Sequence, residues 1–374
     1  MGLIVLVTGA RAPVALDVAR SFRAAGHEVH LADSVTPFAA RASRPRLPIH
    51  RLPPPRQRFD EFRGALVALV RRLGVALVVP TCEEVFYVSA ALEARGVFAP
   101  PLDVLRRLHS KRTFVELARA AGIAAPATRT LTDPAQLDGL PLDRLVLKPE
   151  FSRFAAATLV RPRSVRHVRP SALHPWVAQE FVPGEEVCLW SAAVAGRLTT
   201  AVVYRPVLRH GRSASYAFEA ISCPAAVAVA ETVAAATGMT GHLAFDLIIT
   251  ASGEAVPIEC NPRAVSGVHL YDGASLARAI TGEPQPSPTA GAQRHLAPAM
   301  ALLGAPVALA TGGVRPFVRE WRRGRDVIGR PGDRLPALGA LADAARFAAL
   351  GLSRWRSPTR QTTDDIEWNG EPIG

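Results

Sequence analysis

The chain opens on an uninterrupted apolar run, Leu3 to Val7, the pattern a strand needs when both of its faces are buried. Thr8-Gly9-Ala10 makes a turn. From Pro13 to Ala25 the apolar spacing switches to helical, with Val14, Val18, Ala19 and Phe22 on one face and Gly26 as the stop. Glu28 to Ala32 is a second strand, with Asp33 at its C-terminal end. A strand–helix–strand unit of this kind predicts a parallel α/β sheet. Arg44 to Arg58, rich in proline and arginine, reads as an irregular connection. Phe59 to Leu73 reads as an amphipathic helix and Ala76 to Val79 as a third strand. Glu83 to Glu93 is helical, and its first-turn carboxylates, Glu83 and Glu84, suit the helix dipole.

Further along, Leu102 to Leu108 is a short helix, and Ser110-Lys111 leads into another that runs through Ala121 to Gly122. Pro126 and Thr128 open an extended stretch. Arg144 to Lys148, Val177 to Phe181 and Thr199 to Tyr204 are strands, and Ala225 to Thr237 is an alanine-rich helix. Ala244 to Thr250 and Ala255 to Cys260 form a hairpin about Ser252-Gly253. Beyond about residue 295 the pattern weakens. Leu296 to Gly313 is uncharged but holds two prolines, and is expected to be buried strand and loop, not a membrane span. Leu335 to Leu350 reads as a helix and the tail from Asp364 to Gly374 as extended. No internal repeat is visible.

Composition narrows the picture. At 374 residues, with 49% hydrophobic and 20% charged, the chain can bury a sizeable core and should divide into two or three domains. The net charge of +12 invites a nucleic-acid reading, but the arginines are spread along the whole chain and no basic run is interleaved with stacking aromatics. Attraction to an anionic small molecule is an equal use of that charge. Lysine occurs at Lys111 and Lys148 only; every other basic residue is arginine. A compact ammonium contacts phosphate oxygens differently from a planar fork, so these two lysines become candidate functional residues. Cys82, Cys188, Cys223 and Cys260 lack any metal-ligand spacing. Free thiols and the lack of a basic leader before the first strand lead to the expectation of a cytoplasmic protein.

The hairpin carries the sharpest chemistry. Alternation puts Glu259 and Asn261 on one face, and Asp246 on the neighbouring strand can point the same way. Two carboxylates and an amide oxygen make a hard-oxygen site suited to magnesium, which keeps waters and takes phosphate oxygens, so a nucleoside triphosphate is implied. Arg263, two residues past Asn261, offers a fork suited to phosphate or a developing anion. Upstream, Lys148 ends a strand before the loop Glu150 to Ala157, and Gln179-Glu180-Phe181-Val182-Pro183-Gly184-Glu185-Glu186 ends another strand in a sharp turn.

This series resembles the ATP-grasp superfamily over roughly residues 1 to 290, most specifically in the Ile258-Glu259-Cys260-Asn261-Pro262-Arg263 segment and its acidic partner strand. The resemblance implies an α/β and α+β fold. A Rossmann-like parallel α/β domain would span 1–100. A two-lobed ATP-grasp domain with mostly antiparallel sheets would span 101–295, with its lid lobe at about 125–182, and a C-terminal extension would occupy 296–374. It also implies roles. Lys111 and Lys148 would contact ATP phosphates, and Ser152 would lie in the loop covering them. Glu180 would face the adenine amino group, with Phe181 and Val182 offering backbone hydrogen bonds to the ring, and Glu186 would hold the ribose hydroxyls. Asp246, Glu259 and Asn261 would ligate Mg2+, with Mn2+ as an alternative, and Arg263 would steady an acyl phosphate. The loop Phe151 to Ala157 departs from the family's glycine-rich pattern, having no glycine.

The expected activity is ATP- and Mg-dependent ligation of a small-molecule carboxylate to an amine. A thiol or other nucleophile, or a catalytically weak nucleotide-binding regulatory role, are the alternatives. Partners are then small molecules, with no nucleic acid and no membrane; a homodimer is compatible. Several residues keep two readings. His269 is either a general base or a structural hydrogen-bonder. Arg205, His210 and Arg212 either bind an anion or lie on a solvated loop. The Thr8-Gly9-Ala10 turn lacks the GxGxxG glycines of a dinucleotide site.

Overall fold

The computed structural model describes residues 2–152, 157–209, 215–353 and 361–373. The first sheet is parallel throughout. Its elements run β1 (Ile4–Thr8), α1 (Pro13–Ala24), β2 (Glu28–Asp33), α2 (Phe38–Ala42), β3 (Ile49–Arg51), α3 (Phe59–Leu73), β4 (Leu77–Pro80) and α4 (Val85–Leu92), in strand order β3-β2-β1-β4. β1 sits between β2 and β4 and is buried on both faces, as its apolar run requires. The turn after β1 depends on Gly9, at φ +71°, where a Cβ would lie 2.7 Å from the Glu84 carboxylate. β3 falls inside the stretch Arg44 to Arg58 expected to be irregular; it is three residues long and pairs only with β2.

Two helices, α5 (Leu102–His109) and α6 (Lys111–Ala120), lead to a small antiparallel sheet of β5 (Thr128–Leu131), β6 (Leu145–Pro149), β7 (Leu159–Val160) and β8 (Trp176–Glu180), ordered β5-β8-β6-β7. The ladders β5–β8, β6–β8 and β6–β7 are all antiparallel.

The large sheet holds β9 (Glu185–Val194), β10 (Arg197–Arg209), β11 (Ser215–Ile221), β12 (Gly241–Ile249) and β13 (Ala255–Asn261), with α7 (Pro224–Thr237) against one face. After α8 (Ser275–Ile280) the strands β14 (Gln293–His295) and β15 (Arg325–Asp326) complete the order β13-β12-β9-β10-β11-β14-β15. Alternation along β9 divides two cores. Val187 and Leu189 join the cluster under α7, while Trp190 and Ala192 join the cluster shared with α1 and the 3-10 turn Ser266–Leu270. The mixed architecture, one parallel sheet with two essentially antiparallel ones, agrees with the expected fold class.

Leu296 to Gly313 corrects the expectation of buried strand and loop. It is helical, as α9 (Ala297–Ala299), a π-helical turn Met300–Gly304 and α10 (Ala305–Ala310), with Leu302, Leu303, Val307 and Leu309 exposed. Pro298 falls at the start of the helical run, where a missing N–H costs nothing, and Pro306 comes just after the π-helical turn. α11 (Val314–Arg323) and α12 (Leu335–Ser353) follow. α12 is the one helix among the described residues long and apolar enough to cross a membrane by length and composition. Here it packs on α2: the Asp343 carboxylate accepts from Phe38 N and Ala39 N, and Arg346 donates to the Thr36 carbonyl at 2.8 Å. The tail forms turns where extended chain was expected, and it folds back on the first sheet, with Trp368 stacked on Phe86 at 4.7 Å.

Candidate active site

β12 and β13 bring the acidic cluster together. They pair with Asp246 opposite Glu259 and Ala244 opposite Asn261, which puts all three polar side chains on one face. Phe245 and Cys260 point the other way, into the core beneath α7. The pairing then slips: Leu247 stands opposite Pro257, leaving Ile258 as a bulge. Proline lacks the N–H that a regular ladder needs, so Pro257 marks the irregularity in the sequence. The consequence is chemical, because the Ile258 carbonyl accepts from Lys148 Nζ at 3.0 Å.

The two lysines of the chain arrive from different elements and converge on Glu259. Lys148 ends β6, while Lys111 opens α6, whose start is capped by Ser110 accepting from Thr113 N. Lys111 Nζ lies 3.7 Å from Glu259 Oε1 and also donates to the carbonyls of Ser152 (3.1 Å) and Glu150 (3.4 Å). Both lysines are buried, at 1% and 3% exposure. Glu150 is held beneath them by a short hydrogen bond from Ser110 Oγ.

Burial governs the electrostatics. It lowers the Lys148 pKa to about 8, with the Lys111 charge adding to the fall and Glu259 opposing it. Burial also raises the Asp246 carboxyl to about 6, reinforced by the Glu259 charge. For Glu259 burial acts upward too, but the Lys111 and Lys148 ammoniums outweigh it and hold the group below its ordinary value. The Cys188 thiol, pushed up by burial and by Asp246, stays protonated and donates to Asp246 Oδ1 at 3.3 Å. Sequence reading did not find Cys188; its signal was the even position it shares with Trp190 on β9.

Arg263 closes the cluster, with Nη2 donating to Asn261 Oδ1 at 3.2 Å and Nε 3.6 Å from Glu83 Oε1. Glu83 therefore belongs to this site, whereas Glu84 is a buried structural acceptor from Thr8 Oγ1, Thr81 N and Cys82 N. At the turn after β8, the Glu180 side chain accepts from Ala127 N at 3.4 Å, and the Phe181 amide already donates to the Arg144 carbonyl. Val182 follows Phe181 in that turn and is half-buried. Gly184 is forced there, since a Cβ would meet the Ile249 carbonyl at 2.3 Å. Glu186, at the start of β9, pairs with Arg209 at 2.8 Å. Ser152 Oγ donates weakly to the Pro149 carbonyl. Arg153, Phe154, Ala155 and Ala156 of the glycine-free loop, and His210 and Arg212, lie outside the described residues.

The remaining candidates have structural partners. His269 Nδ1 and Asp17 Oδ2 are 2.7 Å apart, both buried, and Arg330 reaches the same carboxylate at 2.9 Å, so His269 ties the turn 266–270 to α1. Arg205 pairs with Glu219 at 3.0 Å. Asp33, where a dinucleotide site would want a ribose acceptor, is bonded to Arg11 instead.

The donor set fits magnesium. Among the described residues no group of three or more His, Cys, Asp or Glu is placed to hold a metal. Two carboxylates and one amide leave the rest of an octahedron to water and phosphate oxygens, which is how magnesium is usually held.

No protein-family model matches the chain, and no curated protein matches it. Solved structures do. An N5-carboxyaminoimidazole synthetase from Staphylococcus aureus complexed with ADP superposes with a TM-score of 0.63 at 13% identity, covering 82% of this chain and 86% of its own. An L-amino acid ligase from Bacillus licheniformis gives 0.60 at 14%, covering 79% and 80%. A phosphoribosylamine–glycine ligase from Thermotoga maritima gives 0.58 at 14%, covering 78% of each chain. Taken with the three sheets and the Asp246/Glu259/Asn261 hairpin, these likenesses establish that the chain has the ATP-grasp fold.

Proposed function

We propose that the protein is an ATP- and magnesium-dependent ligase that activates a small-molecule carboxylate as an acyl phosphate and passes the acyl group to an amine. One observation carries this reading: the chain's only two lysines are both buried against Glu259, beside Asp246 and Asn261. The similar structures support it, since several bind ADP or ATP and are named as ligases or synthetases.

In this reading Lys111 and Lys148 neutralise phosphate oxygens, exchanging their present carbonyl partners for them. Asp246, Glu259 and Asn261 hold magnesium, which supplies charge neutralisation when bound. Glu180, Phe181 and Val182 line the adenine, Glu186 the ribose, and Ser152 borders the phosphates. A substrate carboxylate oxygen attacks the γ-phosphorus and ADP leaves. The amine then attacks the acyl carbon, inorganic phosphate leaves, and the amine gives up a proton. Arg263 faces the carboxylate and stabilises the charge that develops on its oxygens. Such chemistry needs positioning and charge neutralisation more than a covalent catalyst. We place the activity in the cytoplasm.

ADP release with magnesium, an acid and an amine tests the proposal. The expected result is release that needs all three and is lost in Glu259→Gln. Binding of ATP without any acid-dependent release, across acids and both amine and thiol acceptors, would leave a nucleotide-binding protein and overturn the ligase reading.

A further inference from the structure

A cavity of about 330 Å³ begins at Arg263 and runs away from the acidic cluster, between the turns after β1 and β4 and the C-terminal helix α12. This volume is at the small end of ligand pockets, roughly 300–1,000 Å³. Its wall is largely apolar, built from Ala12, Pro13, Ala39, Ala340 and Phe347. Five of its twelve lining residues, Ala340, Asp343, Phe347, Thr362 and Thr363, come from the part of the chain beyond residue 335, for which the sequence suggested no role.

Four charged groups line the wall, and their commitments decide what can enter; the Asp343 carboxylate is engaged by Phe38 N and Ala39 N. Arg11 is spent. Its Nε donates to Asp33 at 3.0 Å, Nη1 to the Thr362 carbonyl and Asp365, and Nη2 to Ser34, Asp33 and Asp365. A guanidinium with every donor engaged by two carboxylates, a carbonyl and a hydroxyl has nothing left for a phosphate. Glu83, at 1% exposure beside Arg263, adds negative charge to the same wall. That charge opposes a second anion. Arg263 alone, among the described lining residues, faces the cavity with cationic capacity to share, and it stands where a reacting carboxylate has to be.

We propose that this cavity seats the carbon body of the substrate acid, and that the substrate is a carboxylic acid with an apolar body and no phosphate group. The carboxylate lies against Arg263, and the body extends toward Ala340 and Phe347. The inference rests on the ligase reading for the direction of the carboxylate, but the cavity's selectivity can be measured without nucleotide.

Calorimetric titration of the full chain with 3-phenylpropanoate, L-phenylalanine, succinate and ribose 5-phosphate provides the test, first alone and then with MgATP and ADP-release assays. The two apolar acids are expected to bind about 10-fold or more tighter than succinate or ribose 5-phosphate, the scale set by one or two buried methylene groups. Ala340→Leu, which narrows the cavity, should weaken the apolar acids about 10-fold and leave MgATP affinity unchanged. Phe347→Ala, which widens it, should shift preference toward a longer acid such as 4-phenylbutanoate. Ribose 5-phosphate binding as tightly as the apolar acids, no acid binding at millimolar concentration with or without MgATP, or both variants leaving acid affinities unchanged would each overturn the proposal. Failure of MgATP to bind, with acid selectivity intact, would instead remove the ligase reading and leave the cavity assignment standing.

Discussion

Two buried charge clusters in this molecule are built on opposite terms. Around Arg11 every hydrogen-bond donor is matched: a planar fork meets Asp33, Asp365, Ser34 and the Thr362 carbonyl at ordinary or short distances. Around Glu259 the matching is loose. Lys111 stands 3.7 Å away, Lys148 is bonded to a carbonyl and not to the carboxylate, and Asp246 and Glu259 face each other across a ladder. Like charges side by side, and the Lys148 ammonium with its pKa pulled down by burial, are costly to a fold that gains nothing from them. The saturated cluster reads as a fastening, and the unsaturated one as a place prepared for charge that comes from outside. Residue type follows the same division, with arginine where geometry is to be locked and lysine where a point charge must exchange partners.

Substitutions can break this contrast. Arg11→Ala should have the largest effect, a loss of about 3–5 kcal/mol in chemical denaturation, because Asp33 is left buried without its partner; MgATP affinity of the folded fraction should not change. Glu259→Gln should do the reverse, reducing acid-dependent ADP release by about 10²–10³-fold in steady-state assays, with a smaller stability change than Arg11→Ala. Equal stability losses in the two variants would erase the distinction drawn here.

Lys148→Arg sharpens the contrast further. It keeps the charge but brings a planar head where a compact one fits, and activity should fall about 10–100-fold. The wild-type pH profile carries a linked expectation. The buried Lys148 pKa lies near 8. Below that pH the ammonium is present and can meet phosphate; above it the charge is lost and MgATP affinity should decline. In Lys148→Arg the guanidinium stays charged, so the alkaline decline should disappear. The smallest effect belongs to the exposed pair Arg63–Asp60, where Arg63→Ala should alter stability by no more than about 0.5 kcal/mol and activity not at all.

Legibility from sequence divided along similar lines. Alternation alone put Asp246, Glu259 and Asn261 on one face, because strand geometry is local. The scarcity of lysine singled out Lys111 and Lys148, though nothing local showed that they would meet at one carboxylate. The bulge at Ile258 and the thiol of Cys188 against Asp246 arise from register between strands, which a single strand's pattern does not contain. Leu296 to Gly313 was misjudged because its apolar residues suggested burial, whereas Leu302, Leu303 and Leu309 are exposed on helices. The pairing of Arg11 with Asp365 was beyond reach for a plainer reason, since 354 positions separate the two.

That separation also has a temporal meaning. A chain leaving the ribosome presents Arg11 and Asp33 long before the second carboxylate, the Trp368 ring that covers Phe86 and the α12 wall of the cavity. Until those segments arrive the first sheet has one flank bare, a state in which exposed apolar surface invites misassembly. Closure over so long a loop is also intrinsically slow. The pocket and the fastening around Arg11 are therefore completed together, by segments more than 300 positions away from the first strand.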